Sequence, residues 1–374
     1  MANLRVLIAG GGTGGHIIPA LAVARELVAR HAAEVLFIGT ERGMEMRLVP
    51  EAGFNLRLVE VGQLKNVSLL TRLRTLTDLP RAIFTCQRLI REFNPGVVFG
   101  VGGYASGPAM ASALLLGIPS MVFEPNAMPG LANRLVGKRV QAAAVNFQSA
   151  TRWFRNAEVT GIPVRPEFFS LDPPPASAAP HLLVFGGSQG ARIFNSVLPK
   201  IISRLLGAIP RLTVLHQSGA RLFEQTVTAY AASGADPDRW QVSPFLDDMP
   251  ARFAQAHLVM ARSGASTVAE LAAAGKPALL VPFAAAADDH QRRNAEEMER
   301  VGAALLLDES ELDERELASP EKLLTALTSL LQSPERLAAM AAAARTQAHP
   351  HAAERIANRI AALAQPNTPS SYPQ

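Results

Sequence analysis

The chain has 374 residues, 48% of them apolar and 18% charged, with 27 glycines, 27 prolines, a single cysteine and a formal net charge of +4. This length exceeds the roughly 250–300 residues at which one core stops growing, so two domains are expected, and the apolar content excludes disorder as the general state. Cys86 stands alone, which excludes an internal disulfide framework and points to a reducing compartment, the cytoplasm, rather than to secretion.

Met1–Ile8 carries one basic residue and its apolar run stops at glycines, so no signal peptide is expected. The strand-like Val6–Ala9 runs into "GGGTGGH", residues 10–16, and then into a helical pattern. Gly10, Gly12 and Gly15 have the G-x-G-x-x-G spacing of dinucleotide loops. The second strand, Val35–Ile38, nevertheless ends in Gly39-Thr40 with Glu41 beyond it, and lacks the strand-end acid that takes ribose hydroxyls in such folds. The mismatch counts against a nicotinamide or flavin, and no cofactor is expected. The loop offers instead His16 at a helix start, where a neutral imidazole could accept a proton; a capping contact within its own helix is the plainer alternative.

Residues 65–93 hold Lys65, Arg72, Arg74, Arg81, Arg88 and Arg91 against Asp78 and Glu92, a surplus of four that equals the net charge of the whole chain. Apolar residues such as Val67, Leu73, Leu76, Phe84 and Phe93 interleave with them. Such a local, amphipathic, basic segment suits an anionic membrane surface, and nucleic acid is not expected as a partner. A core helix with one solvated face fits the same pattern. The longest apolar stretch, Ala109–Phe123, is too short and too broken by Ser112, Gly117, Pro119 and Ser120 to span a bilayer.

Further strands are read at Val97–Val101, Ser120–Phe123, Leu182–Phe185, Thr213–Gln217, Leu258–Met260 and Ala278–Pro282. Continuous apolar runs alternating with helical patterns indicate parallel, doubly wound sheets. The proline-rich Asp172–Pro180 separates halves that open alike, "RVLIAGGGTGGH" and "HLLVFGGSQGARIFN", which implies two similar domains facing one another across a cleft. Pro366–Gln374 reads as disordered.

Three glycine loops leave strands, at Gly10–Gly15, Gly100–Gly107 and Gly186–Gly190. Glycine lets backbone N–H groups approach an anion, and the next helix adds its positive end, so phosphates are the expected guests. In "ARSGASTVAELAAAGKPALLVPF", residues 261–283, Glu270 could take both hydroxyls of a ribose. Its rival is a capping box, because Thr267 and Glu270 have the required spacing. No metal site is apparent: Asp236-Pro-Asp238 reads as a turn, and Asp247-Asp248 and Asp288-Asp289 as solvated. Without a metal ion, a departing diphosphate would rest on backbone N–H groups, a helix end and a cationic side chain such as Arg165.

Six blocks, "GGGTGGHIIPALAVA", "GVGGYASGPAMASA", "EPNAMPGLANR", "GIPVRPE", "FGGSQGAR" and "RSGASTVAELAAAGKPALLVPF", occur in an order that resembles the MurG family of peptidoglycan N-acetylglucosaminyltransferases. The resemblance implies an α/β fold of GT-B type, with an acceptor domain at residues 1–163 and a donor domain at 164–374, the last helix at about 350–364 returning to the first domain. It implies inverting, metal-independent transfer of N-acetylglucosamine from UDP-N-acetylglucosamine to the 4-hydroxyl of the muramoyl sugar of undecaprenyl-diphosphate-linked lipid I, giving lipid II. Ser188, Gln189 and Arg165 would contact the donor diphosphate and backbone at Leu246 the uracil; Ala265, Ser266, Thr267, Val268, Ala269 and Glu270 would wrap the nucleotide sugar. Gln291 and Asn294, three apart on one helix face, would reach the hexosamine hydroxyls, and Thr13, Gly14, Gly15 and Asn126 would close over the sugar. Gly102, Gly103 and Tyr104 would lie near the acceptor diphosphate. His16 is the implied base, with Glu124 orienting or replacing it. The implied location is the cytoplasmic face of the inner membrane, peripherally bound, with a cell-wall synthesis complex as a partner.

Two departures from the family pattern bear on the sugar contacts: Glu124-Pro125-Asn126 where the family often has Glu-Gln-Asn, and the "AAAADDH" stretch before Gln291. Three rivals stand beside this reading. They are a glycolipid glycosyltransferase using UDP-glucose or UDP-galactose and diacylglycerol, a non-catalytic subunit that binds nucleotide sugar, and an NAD-dependent oxidoreductase.

Overall fold

The computed structural model describes residues 4–41, 43–61, 69–175, 178–312 and 320–365, with 69–77 and 287 described by backbone alone. Lys65, Val67 and the Pro366–Gln374 tail lie outside the described residues, as do the side chains of Arg72, Leu73, Arg74 and Leu76. The chain divides into two compact units, one of Met1–Pro163 with His351–Gln374 and the other of Val164–Pro350.

The first unit is built on β1 (Arg5–Gly10), β2 (Glu34–Gly39), β3 (Asn55–Leu58), β4 (Val97–Gly102), β5 (Ser120–Glu124), β6 (Ala142–Val145) and β7 (Ala157–Val159), with α1 (Gly14–His31), α2 (Glu45–Glu51), α3 (Leu69–Phe93), α4 (Ser106–Leu115) and α5 (Leu131–Val136). The strands pair in parallel in the order β3-β2-β1-β4-β5-β6-β7. Val6, Leu7, Ile8 and Ala9 are fully buried, as the central strand of a sheet covered on both faces must be. In α3, Ala82, Cys86, Leu89, Ile90 and Phe93 form the helically spaced stripe turned into the core, while Phe84, Arg81, Arg88 and Arg91 stay exposed. The core reading therefore holds for this stripe, and the basic face is what remains outside.

The second unit carries β8 (His181–Phe185), β9 (Thr213–Gln217), β10 (Trp240–Ser243), β11 (Leu258–Ala261), β12 (Ala278–Leu280) and β13 (Ala304–Leu306), again all parallel, in the order β10-β9-β8-β11-β12-β13. Its helices are α6 (Arg192–Ala208), α7 (Phe223–Ala231), α8 (Met249–Gln255), α9 (Ala265–Ala274), α10 (His290–Arg300), α11 (Glu321–Leu331) and α12 (Pro334–Arg345). The final helix, α13 (Ala352–Ala364), packs on α1 of the first unit, where Arg30 meets Glu354 at 3.1 Å and His31 meets Asn358 at 2.9 Å.

In both sheets the strand order reverses beside the strand that opens the unit, between β1 and β4 and between β8 and β11. Ligands of doubly wound sheets bind outside the carboxyl ends of the strands at such switch points. The glycine loops occupy those places.

Candidate active site

In the first unit the loops after β1 and β4 pack directly on each other. Gly10 and Gly11 have φ of +146° and +150°, and the N–H of Gly11 donates to the Gly102 carbonyl at 3.2 Å. A Cβ at Gly10 would collide with the Gly102 carbonyl, and one at Gly103 with that of Gly11. Close approach, rather than turn geometry alone, thus demands glycine here. Thr13 extends into α1, its hydroxyl 3.2 Å from Nδ1 of His16. The half-buried imidazole lies against Gly102, so near that a Cβ there would stand 2.8 Å from its Cδ2. Tyr104 is exposed on the neighbouring loop. The structure therefore brings Thr13, Gly14, Gly15, His16, Gly102, Gly103 and Tyr104 to one place.

Glu124, at the end of β5, is differently placed. Its carboxylate is buried and accepts from the N–H and side-chain amide of Asn126 at 3.0 and 3.2 Å, from the Gly130 N–H at 3.1 Å and from Asn133 at 2.9 Å. Burial pushes its pKa up while these bonds oppose the shift. A carboxylate enclosed by its own loop does not present itself to a substrate. In this position Glu124 holds Asn126, which is half-buried beside it.

In the second unit the loop Gly186–Ala191 follows β8, with Gly187 and Gly190 at φ of +89° and +70°. The Gln217 amide donates to the carbonyls of Gly187 at 3.0 Å and Ser188 at 3.4 Å. Ser188 and Gln189 are exposed at the tip. Next to this loop in the sheet, β11 ends and a turn leads into α9. Buried Arg262 anchors that turn, donating to the carbonyls of Val281 and Pro282 and making a two-pronged pair with Glu309 at 2.9 and 3.0 Å.

The N-cap of α9 is Gly264, with no side-chain capping bond. Thr267 therefore lies inside the helix and Glu270 in its second turn, so the capping-box explanation of Glu270 fails on position. Burial pushes the Glu270 carboxyl up to about 7, against the pull of the Arg165 guanidinium. Arg165 is exposed and lies over the Phe168 ring at 5.1 Å. Val268, Ala269 and Leu246 bury their side chains, so a ligand would meet only their backbone; Ala265, Ser266 and Thr267 are half-buried.

Gln291 and Asn294 part company. The Gln291 side chain accepts from the Phe283 N–H at 3.0 Å and is half-buried. Asn294 is fully buried, donating to the Ser263 carbonyl at 3.1 Å. It ties α10 to the turn before α9. Of the acidic pairs, Asp236 accepts from the Asp238 N–H in a turn and Asp248 caps α8; Asp288 and Asp289 are exposed, both at φ of +54°. Sequence reasoning missed Glu45 and the Arg262–Glu309 pair, because their partners lie 33 and 47 residues away along the chain, and Asn133, whose bond to Glu124 no motif announces.

Two family models match, the glycosyltransferase family 28 N-terminal domain at residues 6–145 and its C-terminal domain at 181–356. A UDP-N-acetylglucosamine--N-acetylmuramyl-(pentapeptide) pyrophosphoryl-undecaprenol N-acetylglucosamine transferase of Solibacter usitatus is 44% identical over 96% of both chains. A protein of the same name from Anaeromyxobacter dehalogenans is 44% identical over 95% of this chain and 92% of its own. The crystal structure of Acinetobacter baumannii MurG superposes with a TM-score of 0.79 at 30% identity, covering 96% of this chain and 99% of that one. Two parallel-sheet domains with glycine loops at their switch points, and relatives matched along nearly the full length, establish that the chain belongs to the MurG family of GT-B glycosyltransferases.

Proposed function

We propose that the protein transfers N-acetylglucosamine from UDP-N-acetylglucosamine to the 4-hydroxyl of the muramoyl sugar of lipid I, forming lipid II. The full-length relatives named for that reaction support this reading over a diacylglycerol glycolipid enzyme, a non-catalytic subunit or an oxidoreductase. The observation that carries the donor site is the Glu270 carboxyl, half-buried at the switch point of the second sheet and not engaged in capping α9. Two ribose hydroxyls donating to it would satisfy it. The diphosphate would lie against Ser188, Gln189 and Arg165, and backbone at Leu246 and Ala265–Ala269 would hold the base and nucleotide. Gln291, Thr13, Gly14, Gly15 and Asn126 would contact the sugar, and Gly102, Gly103 and Tyr104 the acceptor diphosphate.

The reaction is then one in-line displacement. The acceptor 4-oxygen forms a bond to the anomeric carbon as the bond to the UDP oxygen breaks, and configuration inverts. In the tautomer whose Nδ1–H donates to the Thr13 hydroxyl, 3.2 Å away, His16 would take the acceptor proton on Nε2. UDP leaves as an anion stabilised by backbone N–H groups and Arg165.

No helix among the described residues is long and apolar enough to cross a membrane. Exposed Phe84, Leu115, Leu131 and Leu135 project from α3, α4 and α5, which pack in succession, and exposed Arg81, Arg88, Lys138 and Arg139 accompany them. Apolar tips among cations support peripheral attachment to an anionic membrane. The reading places the enzyme at the cytoplasmic face of the inner membrane, where lipid I is embedded and other cell-wall enzymes could join it.

An assay with UDP-N-acetylglucosamine and a lipid I analogue tests the proposal. Disaccharide formation dependent on the acceptor is expected. UDP release at the same rate without acceptor overturns it.

A further inference from the structure

The first glycine loop already contains an anion. Gly12, at φ of +90°, donates its N–H to Oε2 of Glu45 at 2.7 Å, while Oε1 accepts the N–H and hydroxyl of Thr40 at 2.9 and 3.0 Å. The side chain is only 1% exposed. Glycines wall it in, since a Cβ at Gly11, Gly39 or Gly43 would run into the Glu45 side chain. Gly39 and Gly43 thus leave room for a carboxylate folded back onto the loop after β1. The acid that is missing from the end of the second strand is present after all, but it reads the protein's own backbone instead of a ribose.

We propose that Glu45 is a positioning residue for the transfer reaction: an internal anion that occupies the Gly12 amide, excludes a phosphate from it, and fixes the turn presenting Thr13 and His16. The effect on transfer rests on the function proposed above; the anchor itself does not. With Gly11 bound to the Gly102 carbonyl and Gly12 to Glu45, the first two amides of a phosphate cradle are engaged before any substrate arrives. A nucleotide diphosphate is therefore directed to the second unit's loop. The same bond holds the peptide immediately before Thr13, whose hydroxyl meets the His16 ring. A carboxylate accepting charge-assisted bonds from backbone N–H groups is a firm anchor in a buried setting.

Glu45→Gln tests this with little change of volume. Its one carbonyl oxygen keeps the two Thr40 bonds, and its amide nitrogen then faces the Gly12 N–H, donor against donor. Hydrogen exchange of residues 9–16, measured without substrate, should quicken at least about tenfold in the variant. With UDP-N-acetylglucosamine and a lipid I analogue, kcat should fall by about tenfold or more while the donor KM and calorimetric UDP affinity stay within about twofold. In Glu45→Ala, added formate should restore part of the lost turnover by refilling the anion's place. Unchanged exchange in Glu45→Gln overturns the anchor, and faster exchange with unchanged kcat overturns the positioning role. A parallel loss of UDP affinity overturns it as well. Absence of turnover in the unmodified protein counts against the transferase reading alone, because the exchange experiment still decides the anchor.

Discussion

The loops after β1 and β8 share a glycine-rich signature and the same place in their sheets, yet their amides serve opposite ends. In the first, Gly11 and Gly12 donate inward, to the Gly102 carbonyl and the Glu45 carboxylate. In the second, Gln217 grips the carbonyls of Gly187 and Ser188 from behind, and among the described residues nothing engages the N–H groups of Ser188 and Gln189 at the exposed tip. Holding a loop by its carbonyls leaves its donors for a ligand; holding it by its donors does not. The difference teaches that glycine spacing specifies a tight strand-to-helix turn, while a distant side chain decides whether that turn receives an anion. In the proposed reaction the first loop would then serve as a scaffold for His16 and the second as the receptor for diphosphate.

The largest expected effect follows from this division. His16→Ala should lower kcat by about 10²-fold or more, with UDP affinity unchanged by calorimetry; a loss confined to donor affinity would place His16 on the donor side and break the contrast. Glu270→Gln should weaken UDP binding by about 10- to 100-fold without unfolding, and unchanged affinity would remove Glu270 from the receptor. The pH dependence sharpens this second case. Ribose donors favour the carboxylate, so UDP affinity should rise between about pH 6 and 8 in the unmodified protein and stay flat in Glu270→Gln. The apo stability has the opposite sign. Since the folded pKa of about 7 lies above the ordinary 4.5, the protonated form supports the fold, fully below pH 4.5 and progressively less as pH rises through 7. Thermal unfolding of the two proteins across that range measures the slope, which Glu270→Gln should lack.

Smaller effects test the surroundings. Arg81→Glu with Arg88→Glu should weaken sedimentation with anionic vesicles several-fold at low salt and less at high salt; undiminished binding would leave the basic face of α3 as an ordinary solvated surface. Thr267→Ala should shift unfolding by only a few tenths of a kcal/mol, because Thr267 sits inside α9. A loss near 1 kcal/mol, the usual cost of removing a cap, would restore the capping-box account.

The strands legible in the sequence were the central ones, such as Val6–Ala9 and Leu182–Phe185, whose burial on both faces requires unbroken apolar runs. Those not recognised, β3, β7, β10 and β13, are the sheet edges, together with the alanine-rich β6. An edge strand is half-solvated, as "NLRL" and "WQVS" show, so its composition carries little signal. The positions of the candidate residues were legible where a motif places them within one loop or helix, as with Thr13, His16, Ser188 and Glu270. What no motif showed for Asn294 and Glu124 is their burial and the hydrogen bonds that hold their side chains.

By itself, then, the sequence determined two parallel-sheet domains, the turns at their switch points and the side chains carried on those turns, because hydrophobic runs and glycine are short-range signals. Only the tertiary structure decided which polar groups remain for a substrate. Glu45 lies 33 residues from the amide it holds and Glu309 lies 47 from its arginine. Hydrogen-bond satisfaction in a buried site depends on what folding brings within about 3 Å, and no spacing along the chain records it.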